Sequence, residues 1–472
     1  MFKKVLIANR GEIATRVIRS CKELDIETVA IYSEADATSL YVKKADESYL
    51  VGPGPINGYL NIHAIVDLAS KVGVDAIHPG YGFLAENPRF PKVCERRGIT
   101  FIGPSSSSIA AMGDKVTARA MMKKAGVPFL PGSEGCIKDV DEAAEVAGRI
   151  GYPVMVKASA GGGGRGLRIA HNEDELQGAL EAARSETKNS FGSTDVFIEK
   201  YLEEPHHIEI QILADNHGNV IHLGERDCSI QRRHQKVIEI APSLLLDDIT
   251  RSKMGEAAIK AARASNYTNA GTVEFLVDKD LNFYFLEMNT RIQVEHTITE
   301  EVTGISIVKK QIEIAAGKEI GIRQEEIITR GYSMECRICT EDPKNNFLPS
   351  SGTVTAYYSP GGIGVRIDGA LYKDYEIPGY YDSMVVKLIV WGSDWNEAVA
   401  RMHRSLEEFV IRGVKTNIPY LRKIMHDEEF REGKFDTGYI ARKPELLAYE
   451  EFEDPTDKVA AISAAIAAFH GF

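Results

Sequence analysis

The chain reads as a mixed fold, α/β at its N-terminal end and α+β over the rest. Three observations carry that reading. Residues 1–114 alternate short apolar strands (Lys4–Ala8, Glu27–Tyr32, Ala76–His78, Thr100–Ile102) with helical patterns such as Ile13–Leu24 and Ile62–Val72, the βαβ signature of a parallel sheet. Tyr152–Ala170 places a glycine-rich loop between two strand-like runs. From Gly331 onward β-rich segments dominate, including Tyr380–Gly392, and close on a helix over Trp395–Val410. At 472 residues the chain is long enough for about three domains. The divisions expected are 1–114; 115–330, with a smaller unit at 132–201; 331–447; and a tail at 448–472. The first βα turn, Ala8–Gly11, lacks dinucleotide-binding glycines.

Composition narrows the function. A net charge of -12 argues against a nucleic-acid binder, which carries a basic surface. The six cysteines are scattered, as suits a reducing compartment. Cys336 and Cys339 form a lone C-x-x-C whose thiols face opposite ways on a strand. With no second pair to complete a zinc site, packing is the expected role. The apolar run Val5–Ala8 is too short for a signal peptide, and no stretch reaches membrane-spanning length, so a cytoplasmic enzyme is expected.

The densest chemistry lies in Leu286–Thr299. Glu287, Asn289, Arg291, Gln293 and Glu295 occupy alternate positions, with Met288, Thr290, Ile292 and Val294 between them. In an extended segment these polar groups share one face. Such a row suits a site for a cation, a small planar anion and a proton acceptor. Upstream, a hairpin around Asp278-Lys279-Asp280, centred between Asp280 and Leu281, pairs Val277 with Tyr284 and Glu274 with Glu287. Two carboxylates directly opposite repel each other. A bound Mg²⁺ or Mn²⁺ shared with a phosphate reverses that cost.

The second signal is the Gly161–Gly166 region. It contains G-x-G-x-x-G, but Leu167–Ala170 after it reads as strand and not as helix. A strand–glycine loop–strand can lie over phosphates, because glycine lets backbone N–H groups approach closely. Lys157 and Arg165 add positive charge, and no P-loop motif is present. Taken with the paired carboxylates, the loop points to a nucleoside triphosphate.

Six segments together give the chain a family resemblance from Met1 to about Tyr449: KVLIANRGEIA from Lys4, Ile77–Asn87, Met112–Lys115, Lys157–Gly166, Glu225–Glu239 and Glu287–His296. It is similar to the biotin carboxylases of the ATP-grasp superfamily. Two residues depart from the family pattern: Ala160 stands for a glycine in the lid loop, and Thr297 for the proline after the histidine. The resemblance implies an ATP-grasp fold with a Rossmann-like N-terminal domain, a mobile lid and a β-rich C-terminal domain. It also implies roles. Lys115, Lys157 and the lid glycines Gly162, Gly163, Gly164 and Gly166 hold phosphates. Glu199, Lys200, Leu202, His207, His234 and Leu276 surround the nucleotide. Glu274, Glu287 and Asn289 hold the metal. Lys236, Arg291, Gln293 and Val294 form a bicarbonate pocket. Glu295 is the general base, and Arg337 faces the ureido oxygen of biotin.

The implied reaction is ATP-dependent carboxylation of biotin through carboxyphosphate. The biotin-attachment motif A-M-K-M is absent, so biotin is expected on a separate carrier or carboxyltransferase subunit. A pyruvate carboxylase is the expected assembly, on the character of the tail; acetyl-CoA, propionyl-CoA and 2-oxoglutarate are the alternative acceptors. A carboxylate–amine ligase of the same superfamily is the competing class, and it should lack the Arg291–Glu295 row and Arg337. A homodimer is implied, with Arg19, Glu23 and Arg366 at its interface. In the tail, Asp454-Pro455 followed by Val459, Ile462, Ile466 and Phe469 reads as a short amphipathic helix.

Overall fold

A computed structural model describes all residues except 53, 159–166, 192–193 and 450–472. The lid glycines and the tail helix expected from sequence therefore lie outside the described residues. Five parallel strands, β1 (Lys4–Ile7), β2 (Glu27–Tyr32), β3 (Glu47–Leu50), β4 (Ala76–His78) and β5 (Thr100–Phe101), form a sheet in the order β3-β2-β1-β4-β5. Helix α1 (Gly11–Lys22) buries Ile13, Ala14, Val17 and Ile18, in one cluster with Leu213, Ile221 and Ile312 from the adjoining layer. Helix α2 (Ile62–Val72) has the predicted bounds; Asn61 caps it and Gly73 ends it in the left-handed region. Strand β3 escapes the pattern reading because Glu-Ser-Tyr-Leu is a half-exposed edge with no apolar alternation.

The ends of β1 and β4 are tied where they face the site. The Asn9 amide donates to the carbonyls of Pro79 and Tyr81, each at 2.7 Å. Gly80 has φ +61°, and a Cβ there would lie 2.8 Å from the Asn9 amide nitrogen. Only glycine meets both conditions. The turn then delivers Glu86 toward the second half of the molecule.

The small unit is an antiparallel sheet, β7-β6-β8, of β6 (Val154–Ala158), β7 (Leu167–Ala170) and β8 (Val196–Lys200). Two helices, α4 (Val140–Ile150) and α5 (Glu173–Phe191), cover its core. The register Val154–Ala170 to Lys157–Leu167 makes β6 and β7 the arms of the strand–loop–strand expected from sequence. Preceding α4, helix α3 (Lys115–Lys124) leads into a strap that bridges Phe129 to Phe285 and Gly132 to Glu199, joining this unit to the main sheet.

That main sheet has eight antiparallel strands. They are β9 (His206–Ala214), β10 (Val220–Arg232), β11 (Gln235–Ala241), β12 (Asn269–Val277), β13 (Phe283–Asn289), β14 (Tyr332–Cys339), β15 (Val365–Gly369) and β16 (Met384–Gly392), in the order β13-β12-β9-β10-β11-β14-β16-β15. The C-terminal β segment thus continues the sheet of the preceding region through the β11–β14 ladder, Ile238–Cys336 to Ala241–Ser333. One core spans that seam, from Ile230 and Ile238 to Met334, Val386, Met402 and Leu406. The helix after β16 runs Trp395–Glu408, capped by Asp394; Val410, expected as its end, belongs instead to a short strand paired with Ala356–Tyr358.

The β12–β13 hairpin corrects one expectation and keeps another. Val277 pairs with Phe283, not Tyr284, because the Asp278 carboxylate accepts from the N–H groups of Asp280 and Asn282 and closes a shorter turn. A register shift between Glu274 and Phe275 then leaves Leu286 as an extra residue on β13 and restores the pair Glu274–Glu287.

Gly331, immediately before β14, has φ +64°, and a side chain there would overlap the carbonyl oxygen of Gly392. Gly331→Ala is expected to destabilise the protein by about 1–3 kcal/mol from the left-handed backbone alone. A urea-unfolding midpoint unchanged from the parent would refute that.

Candidate active site

Four neighbouring strands carry one polar row across the sheet. Arg226 on β10 stands opposite Glu209 on β9, Glu209 opposite Glu274 on β12, and Glu274 opposite Glu287 on β13. Three carboxylates side by side would repel. Two cations, buried Arg226 and half-buried Lys236, hold the inner pair: Arg226 donates to Glu209 at 2.5 Å, and the Lys236 ammonium lies 2.7 Å from Glu209 and 3.4 Å from Glu274. His207, Glu209 and Glu274 bring donor atoms within 4.8 Å of one another, a grouping that could hold an ion. Lys236 already supplies the charge there.

Glu274 and Glu287 sit at the open end of the row. Glu274 is buried and Glu287 exposed. Burial raises the Glu274 carboxyl, but the Lys236 charge and the His207 hydrogen bond outweigh it and hold the group far below the usual range. Partial desolvation by the surrounding protein, with the side chain still reaching solvent, and the neighbouring Glu274 charge push Glu287 the other way. A second negative charge is thus resisted at this spot, the condition a divalent cation would relieve. Asn289 donates to Glu274 at 2.8 Å, so its amide belongs to the same cluster. These residues fit an oxygen-ligand cation site.

The alternation read in Leu286–Thr299 holds only to Asn289, where β13 ends. Residues 290–295 turn, and a helix, His296–Thr303, follows. The polar groups still converge, because hydrogen bonds gather them. Gln293 donates to Glu274 at 2.9 Å. Arg291 donates to Gln293 at 2.6 Å and to Asn289 at 3.1 Å, and its Nε to Glu86 at 2.9 Å. Glu86 comes from the N-terminal region, beyond the end of β4. The Val294 carbonyl accepts from buried Lys387 at 2.6 Å.

Glu295 lies fully buried at the centre of a cationic clasp. It accepts from Lys236 at 2.5 Å and from Arg337 at 3.0 Å. Burial raises its carboxyl, yet Lys236, Arg337 and Arg226 together hold it well below the ordinary range, so it is ionised. Arg337, on β14, also donates to Glu239 at 2.6 Å. The basic run Gln231–Lys236 divides as a hairpin should. Arg233 and His234 form its tip, both at positive φ and exposed, while Lys236 turns into the sheet.

The residues expected around the nucleotide come from several elements. Lys157, at the end of β6, pairs with Glu199 on β8 at 2.7 Å; Arg119 pairs with the same carboxylate. Lys115 is exposed at the start of α3, and its charge bears on Glu287. Lys200 donates to the carbonyls of Gly151 and Tyr152, at 3.1 and 2.7 Å, so its ammonium serves the small unit. Leu202 and Leu276 are half-buried, and Leu276 pairs in register with His207. The Gln231 amide at 2.7 Å caps His207 Nδ1, leaving Nε2–H to donate to Glu274 at 2.9 Å. Sequence reading misses Glu86, Glu209, Arg226, Gln231 and Glu239. The available signal is the odd-numbered set His207, Glu209 and Gln211 on β9, but alternating polar residues look the same on a solvated strand face.

Fold and site define an ATP-dependent carboxylase ligase of the ATP-grasp type. Three family models match the chain: the biotin carboxylase N-terminal domain over residues 1–109, the carbamoyl-phosphate synthase L chain ATP-binding domain over 114–323, and the biotin carboxylase C-terminal domain over 335–442. The chain belongs to the biotin carboxylase family. It is 58% identical to the 2-oxoglutarate carboxylase small subunit of Hydrogenobacter thermophilus, covering 100% of both chains. It is 53% identical to a pyruvate carboxylase subunit of Methanothermobacter thermautotrophicus, covering 99% of each. Biotin carboxylase 1 of Bacillus subtilis is 54% identical, over 93% of this chain and 98% of that one. The crystal structure of the Hydrogenobacter thermophilus biotin carboxylase domain dimer, with MgADP, ADP and bicarbonate, matches with a TM-score of 0.90 at 58% identity, over 96% of this chain and 100% of that one.

Lys236→Met would leave Glu209, Glu274 and Glu295 short of a shared counter-ion. It is expected to cost about 3–5 kcal/mol of stability. Adding Glu209→Gln should return part of that loss, read as a coupling energy in thermal melts. Additive losses in the double variant would show that the two groups do not interact.

Proposed function

We propose that this chain is the biotin carboxylase subunit of a carboxylase whose acceptor is a 2-oxo acid, with biotin carried on a separate polypeptide. The observation that supports the chemistry best is the clasp of Lys236 and Arg337 on buried Glu295, beside the Glu274–Glu287 pair. Full-length coverage by relatives named for 2-oxoglutarate and pyruvate carboxylases, against 93% of this chain for the biotin carboxylase, supports the acceptor class. Pyruvate is the expectation from sequence. The relatives favour 2-oxoglutarate equally, and comparing the two acceptors with the co-purified carboxyltransferase subunit decides between them.

In this reading Glu274, Glu287 and Asn289 would hold Mg²⁺, which would supply positive charge to offset that of the ATP phosphates. Lys115, Lys157 and the loop containing Gly162, Gly163, Gly164 and Gly166 bind phosphates. Glu199, Lys200, Leu202, His207, His234 and Leu276 surround the nucleotide. Arg291, Gln293, Val294 and Lys236 orient bicarbonate. As an anion enters, it takes a share of Lys236 and Arg337, and the proton affinity of Glu295 rises toward that of a working base. Glu295 then accepts the bicarbonate proton while the freed oxygen attacks the γ-phosphorus and ADP leaves. Carboxyphosphate gives CO₂ and phosphate, the phosphate takes the biotin N1′ proton, and Arg337 steadies the charge on the ureido oxygen as the N–C bond forms.

The division into 1–114, 115–330 with the lid at 132–201, 331–447 and a tail is proposed on the same footing. So is a homodimer, supported by the dimer named for the Hydrogenobacter thermophilus structure. Arg19, Glu23 and Arg366 rim one open concavity of this chain. Light scattering at micromolar concentration tests the dimer. A cytoplasmic location accords with the lack, among the described residues, of a helix long and apolar enough to cross a membrane.

Glu295→Gln is expected to lower bicarbonate-dependent ATP cleavage by about 10²–10⁴-fold with ATP affinity little changed. Arg337→Ser should impair biotin carboxylation more than bicarbonate-dependent ATP cleavage. Steady-state kinetics against each substrate check both; losses confined to ATP affinity would overturn the assignment.

Glu287→Gln should raise the Mg²⁺ concentration needed for half-maximal activity and lower turnover. Unchanged metal dependence would remove Glu287 from the cation site.

A further inference from the structure

Behind Arg337 lies a second pair of acidic side chains that the proposed reaction does not use. Glu239 on β11 and Glu335 on β14 stand directly opposite in the antiparallel ladder, and both are fully buried. One oxygen of each is accounted for. Glu239 Oε1 accepts from Arg337 at 2.6 Å, and Glu335 Oε2 accepts from the Thr297 hydroxyl. The other oxygen of each, Glu239 Oε2 and Glu335 Oε1, is buried without a hydrogen-bond partner. Two ionised carboxylates opposite each other would repel and leave two acceptors unsatisfied. A single proton between them removes both costs, as in other coupled carboxyl pairs.

We propose that Glu239 and Glu335 share one proton in the resting enzyme, and that this pair is a positioning device that sets how Arg337 is divided between Glu239 and Glu295. The inference rests on the reading of Arg337 as a biotin-facing group. With the proton in place the pair carries one negative charge, and Arg337 spans Glu239 and Glu295 as observed. Loss of the proton doubles the charge behind Arg337 and draws the guanidinium away from Glu295 and the substrate side.

The surroundings agree. The pair faces Arg337 and Lys387 as cations, with Lys236 further along β11. Glu295 and Tyr81 are the other titratable groups that bear on it, and the Cys336 thiol lies next to Glu335 on β14. Burial and the Glu295 charge push Glu239 up to about 7, against Arg337 and Lys236. Burial and the Glu239 charge push Glu335 up to about 8, against Lys387, Thr297 and Arg337. The Thr297 hydroxyl is the group that bonds Glu335.

The pair can be read directly. Infrared difference spectra of the whole enzyme between about pH 6 and about pH 9 should show a protonated-carboxyl C=O band that disappears on the alkaline side. Glu335→Gln should abolish the band, since the amide placed opposite can donate to the unpartnered Glu239 oxygen and, together with Arg337, hold that carboxylate ionised despite its burial. The second readout is the ratio of biotin carboxylation to bicarbonate-dependent ATP cleavage. In the parent it should fall with alkaline pH across the same range. In Glu335→Gln, which fixes the pair at one negative charge, that inflection should be lost. Thr297→Val removes a donor to the carboxylate and so should move the inflection to higher pH, which keeps the test available if Glu335→Gln does not fold. Absence of the infrared band in the parent, or a band unchanged by Glu335→Gln, would overturn the shared proton. A band that behaves as expected beside a ratio that ignores pH would retain the pair and overturn its link to Arg337.

Discussion

Charge balance on one sheet face is the constraint on which the rest depends. Glu209, Glu274 and Glu287 lie in one row, with Glu295 packed over it, and the inner members are buried away from solvent. Lys236 touches three of these carboxylates, and Arg226 and Arg337 flank it. The desolvation cost of so many ions is large, and mutual attraction offsets it only when geometry is held closely. That explains why the row is built on strands. Hairpin register and a bulge at Leu286 fix carboxylate spacing more tightly than loops would.

The same sheet sets the relation between the two halves of the chemistry. The groups read as cation ligands occupy β12 and β13, with His207 beside them on β9, whereas Arg337 is on β14. Between them run only β10 and β11, paired with each other and with their neighbours. Glu295 is reached from both sides, through Lys236 on β11 and Arg337 on β14. The N-terminal region contributes by a different route, through Glu86, which holds Arg291 and the Thr290 backbone at the end of β13. The small unit meets the site along the strap that bridges Phe129 to Phe285 and Gly132 to Glu199.

Much of this is legible in the amino-acid sequence. The β6–glycine–β7 arrangement follows from strand-like residues on both sides of the loop, and the Glu274–Glu287 pair follows from hairpin symmetry. That pair survives because two departures cancel, a turn shorter than expected and an unrecognised bulge. Period alone cannot reveal a bulge, because the extra residue changes the face of everything beyond it. The row from Arg291 to Glu295 converges through side-chain hydrogen bonds in a turn, not through strand alternation. Glu86, Glu239 and Glu335 are not legible because their partners lie far away in sequence, and an isolated glutamate in a strand pattern reads as a solvated position. The bond between Thr297 and Glu335 makes the same point, since neither residue reveals the other until the fold brings them together.

The unbroken β11–β14 ladder also bears on how this polypeptide can be handled. The family models end and restart between residues 323 and 335, which marks an obvious place to divide the chain for separate expression. A cut there would strip β11 and β14 of each other. Ile238, Ile240, Met334, Cys336 and Ile338 would then stand on two long, apolar, unpaired edges. Edges of that kind recruit any strand available. The two fragments are better regarded as halves of one obligate assembly, to be co-expressed and reconstituted, than as modules to be exchanged between carboxylases.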